Sequence, residues 1–130
     1  MADEFTSDVK QFIDQNIESI AQLEALLLMF RDPQRGWDAA EIAKSLYIPP
    51  EMAATLLADF HRRRYIKLIP GSDACYSYGP HEVKDDRLIR ELAAVYQDRR
   101  VAITSLIYSK PLNKVQTFAD AFRLRKEPPS

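Results

Sequence analysis

The chain has 130 residues, of which 46% are hydrophobic and 28% charged, and its formal net charge is −1. This length predicts one domain, residues 1–130, with a core that needs neither disulfides nor metals, and the single cysteine, Cys75, excludes an intrachain disulfide. The near-neutral charge is untypical of a strongly basic nucleic-acid binder. No signal-peptide pattern and no membrane-length apolar run is present, so we expect a cytoplasmic protein without a membrane partner.

Residues 5–31 show two amphipathic helices in succession. The first has apolar side chains at helical spacing from Phe5 to Ile17. Ser19 followed three residues later by Gln22 predicts a capping box that opens the second helix. This helix is expected to end at Asp32-Pro33, because the residue before a proline avoids the helical conformation.

The next segment carries the clearest local signals. Asp38-Ala39-Ala40-Glu41 reads as a capping box, and Trp37 and Ile42 flank it as a hydrophobic staple. A short helix is predicted from there to about Leu46, followed by a tight turn. Pro50 suits the first turn of another helix, which is expected to end near residue 63.

The sequence then changes from helical to strand-like periodicity. Residues 65–69 and 74–78 are rich in β-branched and aromatic side chains, and residues 70–73 form a turn cluster. We therefore predict a β-hairpin.

A long helix is predicted from Asp85-Asp86 to Lys110, with nothing in the sequence that breaks it. Its length would be about 36 Å at the usual rise per residue. Two other readings remain: the helix folds back over its own domain, or it breaks near Arg99-Arg100 into two helices. A last amphipathic helix is expected over residues 112–122, with a short tail behind it.

Helix, tight turn, helix and hairpin is the order of a winged helix-turn-helix, and here it spans residues 37–79. The full order of elements resembles the MarR-like bacterial transcription regulators and is similar to small uncharacterised proteobacterial winged-helix proteins. The resemblance implies a mainly α fold with a small β-hairpin, in which additional N-terminal helices (5–31) and C-terminal helices (85–124) flank the winged core.

In MarR-like proteins the terminal helices build a two-fold dimer, so the resemblance implies a homodimer here. The apolar surplus on these helices agrees with that arrangement. The residues that we expect at the dimer interface are Phe12, Leu92, Tyr96, Ile103, Phe118 and Phe122.

A winged helix-turn-helix reads double-stranded DNA with the exposed face of its second helix. Thr55 is the expected base-contacting residue. The expected phosphate-contacting cluster is His61, Arg62, Arg63, Arg64 and Lys67. A second interpretation is that this basic run complements the helix dipole and stays solvated.

Two observations weigh against DNA. The hairpin from Leu68 to Tyr78 has no basic residue and contains Asp73, and residues 1–80 hold 8 Lys and Arg against 12 Asp and Glu. The competing hypothesis is therefore a winged helix that binds a protein partner.

Catalysis and metal binding have little support in the sequence. His61 and His81 have no partner at metal-ligand spacing, and nothing activates Cys75. We expect no enzymatic activity, no catalytic or metal-binding residue and no cofactor.

Overall fold

The computed structural model describes residues 7–109, which form six helices and a two-stranded antiparallel sheet. In chain order they are α1 (Ser7–Asn16), α2 (Ile20–Arg31), α3 (Ala39–Leu46), α4 (Pro50–Arg62), β1 (Ile66–Leu68), β2 (Tyr76–Tyr78), α5 (Val83–Asp98) and α6 (residues 100–109). This is a mainly α winged helix-turn-helix with helices before and after it, so the predicted fold class is confirmed. Phe5 and the helix expected over residues 112–122 lie outside the described residues.

The start of α2 shows how a predicted cap is modified by tertiary contacts. The Ser19 hydroxyl oxygen accepts a hydrogen bond from the backbone N–H of Gln22 at 3.0 Å, as predicted. The Gln22 side chain does not close the expected box. Its Oε1 accepts from the backbone N–H of Glu18 at 2.7 Å, while its amide donates to Asp59 of α4 at 3.2 Å. Gln22 is buried, so both ends of its amide need a protein partner.

The predicted capping box of α3 is present. The Asp38 carboxylate accepts from the Glu41 N–H at 2.9 Å, and the Glu41 carboxylate accepts from the Asp38 N–H at 3.0 Å. At the other end of α3, Tyr47 adopts a left-handed backbone with φ 58°, which turns the chain toward α4. Extended Pro49 and helical Pro50 then start α4 where the sequence places it.

The hairpin is confirmed, with shorter strands than expected. Ile66 lies opposite Tyr78, and Leu68 lies opposite Tyr76. Trp37 forms an isolated antiparallel bridge with β2, because its backbone exchanges hydrogen bonds of 2.7 and 2.8 Å with that of Tyr76. This bridge ties the wing to the start of the helix-turn-helix.

Helix α2 occupies the centre of the fold. It contacts α3, α4, α5 and β2. Its buried apolar residues are Leu23, Ala25, Leu26, Leu27 and Met29. Because these elements share one buried helix, α2 holds the wing and the helix-turn-helix in a fixed relation. None of the helices over residues 7–109 combines the length and hydrophobicity that spanning a membrane requires.

The unbroken long helix is the prediction that the structure overturns. Helix α5 ends at Asp98, and Arg99 leaves the helical conformation with φ −126° and ψ 47° before α6 begins. The alternative of a break near Arg99-Arg100 is therefore confirmed. If α5 continued beyond Asp98, its buried face would next place an arginine side chain in the core, where burying a charge is costly. The break instead lets Ile103 and Ile107 of α6 enter the core, where both are buried.

Candidate nucleic-acid interface

The outer face of α4 is the surface that this fold presents away from its core. Ala53, Leu57 and Phe60 are buried on its inner face. The exposed residues of the outer face include Glu51, Met52, Ala54, Thr55 and Ala58. The Thr55 hydroxyl donates to the backbone carbonyl of Glu51 at 3.0 Å, so its oxygen still has room to accept from an outside donor. Thr55, predicted from the sequence, thus lies exposed in the middle of the outer face.

Beyond Thr55, a carboxylate gathers side chains from three helices. Asp59 accepts hydrogen bonds from Arg62, from Arg63 Nε at 2.9 Å and from Gln22 Nε2 at 3.2 Å. Arg63 Nη1 also donates to Asn16 Oδ1 of α1 at 2.7 Å. We call Asn16, Gln22, Asp59, Arg62 and Arg63 the Asp59 cluster. It fastens the C-terminal end of α4 to the junction between α1 and α2.

A second group of basic side chains lies on the wing side of α4. A groove of about 490 Å³ is lined by His61, Arg64, Lys67 and His81, together with Ile66, Leu68 and Gly79. None of these lining residues is acidic. We call His61, Arg64, Lys67 and His81 the basic groove. Four potential cations around one open depression are suited to a phosphate backbone.

The three consecutive arginines, Arg62 to Arg64, therefore lie in two different electrostatic environments. Arg62 and Arg63 belong to the Asp59 cluster, and Arg63 is half-buried there. Arg64 turns away, since its backbone is left-handed with φ 67°, and it lines the basic groove with His61 and Lys67. Adjacent positions in the sequence thus have different electrostatic partners.

Backbone contacts at the base of the wing bring the fourth member into the basic groove. The Gly79 N–H donates to the Tyr65 carbonyl at 3.2 Å, and the His81 N–H donates to the Arg64 carbonyl at 2.9 Å. Sequence reasoning considered His81 only as a metal or catalytic residue. The signal that would have found it is the hairpin register, which returns the residues after β2 to the end of α4.

Lys67 is positioned by the close approach of its stem to Gly79. A Cβ added to Gly79 would lie 2.8 Å from Lys67 Cε and 2.9 Å from Cδ, so only glycine leaves room for this stem. His61 is similarly placed by Tyr76, with ring centroids 5.1 Å apart. Both basic side chains are therefore supported by residues of the wing.

The tip of the wing offers no cation. Its turn contains Gly71 with φ 85°, and the Ser72 hydroxyl donates to the Ile69 carbonyl at 2.8 Å. The one charged side chain between Leu68 and Tyr78 is that of Asp73. Positive charge on this side of the molecule accordingly lies at the base of the wing and not at its tip.

The end of β2 is linked to α5 through a carboxylate. The Tyr78 hydroxyl donates to Asp86 at 2.9 Å, and Arg90 donates to the same carboxylate at 3.0 Å. Burial alone would raise the pKa of Asp86, but the hydrogen bonds from Arg90 and Tyr78 outweigh it and lower that pKa. Burial and the hydrogen bond to Asp86 raise the pKa of Tyr78. Strand β2 of the wing is thus anchored at both of its ends, by Trp37 at Tyr76 and by α5 at Tyr78.

Four of the residues expected at a dimer interface lie in the core of the single chain. Phe12, Leu92, Tyr96 and Ile103 are each at most 4% exposed, so they have almost no surface left for a second copy. Their apolar spacing reflects packing between the terminal helices of one chain. Phe118 and Phe122 lie outside the described residues. The exposed apolar side chains of α6 are Val101 and Tyr108, at 79% and 68%.

Residues 7–109 contain no group of three or more His, Cys, Asp and Glu side chains that could hold a metal ion. Cys75 is half-buried beside the wing turn and accepts a backbone hydrogen bond from Ile69 through its carbonyl. Both histidines, His61 and His81, instead line the basic groove beside Arg64 and Lys67.

Solved structures with the same fold include three of the Staphylococcus aureus protein MepR. MepR, described as a transcription regulator of the multidrug efflux pump MepA, is 19% identical with a TM-score of 0.51, covering 93% of this chain and 90% of that one. A MepR mutant bound to an oligodeoxyribonucleotide and a second mutant are each 18% identical with TM-scores of 0.52. These two cover 93% of this chain and 87% and 88% of theirs. No family model and no curated protein matches the sequence. The likeness establishes the winged-helix fold.

Proposed function

We propose that this protein is a DNA-binding transcriptional regulator of the MarR-like type, which uses α4 as its recognition helix. The observation that carries the proposal is the basic groove, in which four potential cations and no acidic lining residue adjoin the exposed face of α4. Binding to double-stranded DNA depends largely on neutralising phosphates, so the local arrangement of charge matters more than the net charge of −1.

The contacts divide by role. Thr55 faces outward from the middle of α4 and is placed to meet a base edge in the major groove. Arg64 and Lys67 of the basic groove serve as phosphate contacts, and His61 and His81 flank them. The phosphate contacts fix position and the base contact contributes sequence preference.

The comparison with MepR supports this proposal through the shared winged-helix fold. A MepR mutant with this fold is described as bound to an oligodeoxyribonucleotide. An exposed helix-turn-helix beside a basic groove would let the present chain bind DNA in a similar way. A fold by itself does not fix a function, so the proposal depends on the basic groove.

The regulator is proposed to act as a homodimer, since two-fold symmetric proteins present two recognition helices to two half-sites. Val101 and Tyr108 on α6 are the exposed apolar residues that favour this arrangement. They take the place of the expected interface residues Phe12, Leu92, Tyr96 and Ile103, which are buried. Sedimentation velocity on the wild type and on the Val101→Glu, Tyr108→Glu variant tests it: the wild type should sediment as a dimer and the variant as a monomer.

The same reasoning favours a cytoplasmic protein that binds without catalysing a reaction. A regulator must meet chromosomal DNA, and the basic groove is open to a ligand of that kind. Its output is a change in occupancy of DNA, which needs no cofactor.

A second candidate function is binding of a protein partner through the helix-turn-helix. Tyr47 is 94% exposed and Met52 is 44% exposed, and small exposed alanines continue this apolar surface along α4. Exposed aromatic and methionine side chains are enriched at protein interfaces. Co-purification of a stoichiometric protein partner that is lost in a Tyr47→Ser variant would favour this function over DNA.

The test of the first proposal is a salt titration of binding to a labelled duplex of about 20 base pairs, long enough for two half-sites. Fluorescence anisotropy should show affinity falling steeply between about 50 and 200 mM salt. An Arg64→Gln, Lys67→Gln double variant should lose roughly two phosphate contacts in each protomer, and the slope of log K against log salt should become shallower by about 1.8 for each protomer bound.

The matched control is Arg31→Gln, Lys10→Gln, which removes the same two charges from exposed positions on α2 and α1. We expect the control to bind as the wild type does. Equal losses in both double variants would show that net charge, and not the basic groove, determines binding. Failure of the wild type to bind any duplex at low salt would remove the proposal.

A further inference from the structure

Asp59 holds more positive partners than one carboxylate needs. It receives hydrogen bonds from Arg62, Arg63 and Gln22, and its side chain is 17% exposed. Gln22 cannot turn away, because its other end accepts the Glu18 N–H at 2.7 Å and the residue is buried. Asp59 is therefore fixed in place independently of either arginine.

Arg62 and Arg63 differ in how firmly their side chains are held. Arg63 is half-buried and has a second partner in Asn16 at 2.7 Å, so two helices hold it. The Arg62 side chain is 68% exposed, and among the described residues its partner is Asp59. Arg62 is the member of the cluster that is able to leave.

From this arrangement, and resting on the proposed function, we infer that Asp59 is an internal competitor for DNA phosphates that sets the DNA affinity of α4. In the free protein Asp59 holds Arg62. On DNA, Arg62 exchanges the carboxylate for a phosphate. Asp59 then keeps Arg63 and Gln22 as partners, so the exchange leaves no half-buried charge without a counterpart.

The consequence is a protein that binds DNA more weakly, and with a smaller salt dependence, than its run of basic residues suggests. The energy of the Arg62 contact with a phosphate is offset by the loss of its contact with Asp59. The carboxylate thereby moderates non-specific binding, which depends on phosphate contacts alone.

A double-mutant cycle tests whether Asp59 acts through Arg62. The variants are Asp59→Asn, Arg62→Gln and both together, measured by anisotropy on one duplex across the salt range. Freeing one arginine in each protomer should tighten binding about 3- to 10-fold near 0.1 M salt and steepen the salt slope by about 0.9, both counted for each protomer bound. In the Arg62→Gln background, Asp59→Asn should change neither quantity.

Glu51→Gln is the matched control, because it removes one negative charge from the same helix at a residue without an arginine partner among the described side chains. An affinity gain from Asp59→Asn that persists without Arg62, or that Glu51→Gln reproduces with the same slope, would mean simple relief of repulsion and overturn the inference. If the wild type binds DNA and Asp59→Asn does not change that binding, the inference is also overturned, but the proposed function stands. Absence of binding in every variant overturns both.

Asparagine retains an oxygen that accepts from Gln22 and Arg63, so the variant should fold, as thermal unfolding would show. Should it not fold, Arg62→Gln in the otherwise wild-type protein decides. For each protomer bound, the inference expects an affinity loss of no more than about 2-fold, against about 8-fold for Arg64→Gln. Equal losses at the two arginines would overturn it.

Discussion

The Asp59 cluster and the basic groove begin at the same end of α4 and use the same kind of residue, yet they differ in what neutralises them. Arg63 has Asp59 and Asn16 as partners within 3 Å. Arg64, its neighbour in sequence, lines a groove without an acidic residue. The difference teaches that partners from distant parts of the chain decide whether an arginine stabilises the fold or remains available to a ligand. Substitutions in the cluster should lower stability, and substitutions in the groove should lower DNA affinity.

The largest expected effect is on stability, from Asp59→Ala. This change leaves half-buried Arg63 and buried Gln22 without their shared acceptor, so the free energy of unfolding should fall by about 2 kcal/mol. Urea denaturation measures it. Asp73→Ala in the exposed wing turn removes the same charge and should change stability by no more than about 0.5 kcal/mol. Similar values for both variants would show that the cluster does not stabilise the fold.

The neighbouring arginines allow a crossed comparison. Arg64→Gln should lower DNA affinity about 8-fold for each protomer bound near 0.1 M salt, or roughly 1.2 kcal/mol per protomer, with unfolding unchanged. Arg63→Gln should instead cost about 1 kcal/mol of stability and leave affinity near the wild-type value. Both quantities are measured on both variants. A loss of affinity in Arg63→Gln as large as in Arg64→Gln would remove the distinction between the two surroundings.

The ion pair between Asp86 and Arg90 extends the comparison to acidic pH. Because its folded-state pKa is lowered, Asp86 stabilises the protein above about pH 4, and this contribution disappears as the pH falls through the lowered value. Asp86→Asn should therefore lose about 1 kcal/mol or less at pH 7, where Tyr78 and Arg90 lose an ionised partner. The two proteins should converge once the pH lies below the lowered pKa of Asp86. Urea denaturation at several pH values measures the difference, and a constant gap at all of them would contradict the link. DNA affinity at pH 7 should stay unchanged.

The smallest expected effect comes from Gly79→Ala. The new methyl group would displace the Lys67 stem, because the nearest stem atom, Cε, would lie only 2.8 Å from the added carbon, and the ammonium would leave the groove in part. Affinity should fall roughly 2- to 3-fold, or about 0.5 kcal/mol. The control places the same change in a Lys67→Gln protein, where it should have no effect on binding. A persistent loss there would locate the effect in the wing backbone.

Local patterns in the sequence predicted most of the fold. The capping box from Asp38 to Glu41, the start of α4 at Pro50 and the hairpin are all present. Each depends on residues a few positions apart, whose geometry the backbone fixes once a helix or turn forms. The break at Arg99 was recognised only as an alternative, since no proline or glycine marks it and the cause is burial in the core.

The candidate site could be predicted only in part. Thr55, His61, Arg64 and Lys67 were identified from their place in the helix-turn-helix, and the structure exposes them. Pairing of Asp59 with Gln22, 37 positions away, and of Arg63 with Asn16, 47 positions away, has no local signature. The four dimer candidates within the described residues were apolar at helical spacing, a pattern that a core and an interface share.

The sequence by itself determined the order of elements, their caps and turns and the residue types at the end of α4, because these follow from hydrogen bonds and periodicity within a few residues. The tertiary structure alone decided which basic side chains are paired, how His81 joins Arg64 and where the terminal helices bury their apolar faces. Electrostatic pairing and burial depend on distances through space, and those distances exist only once α2 has brought the distant segments together.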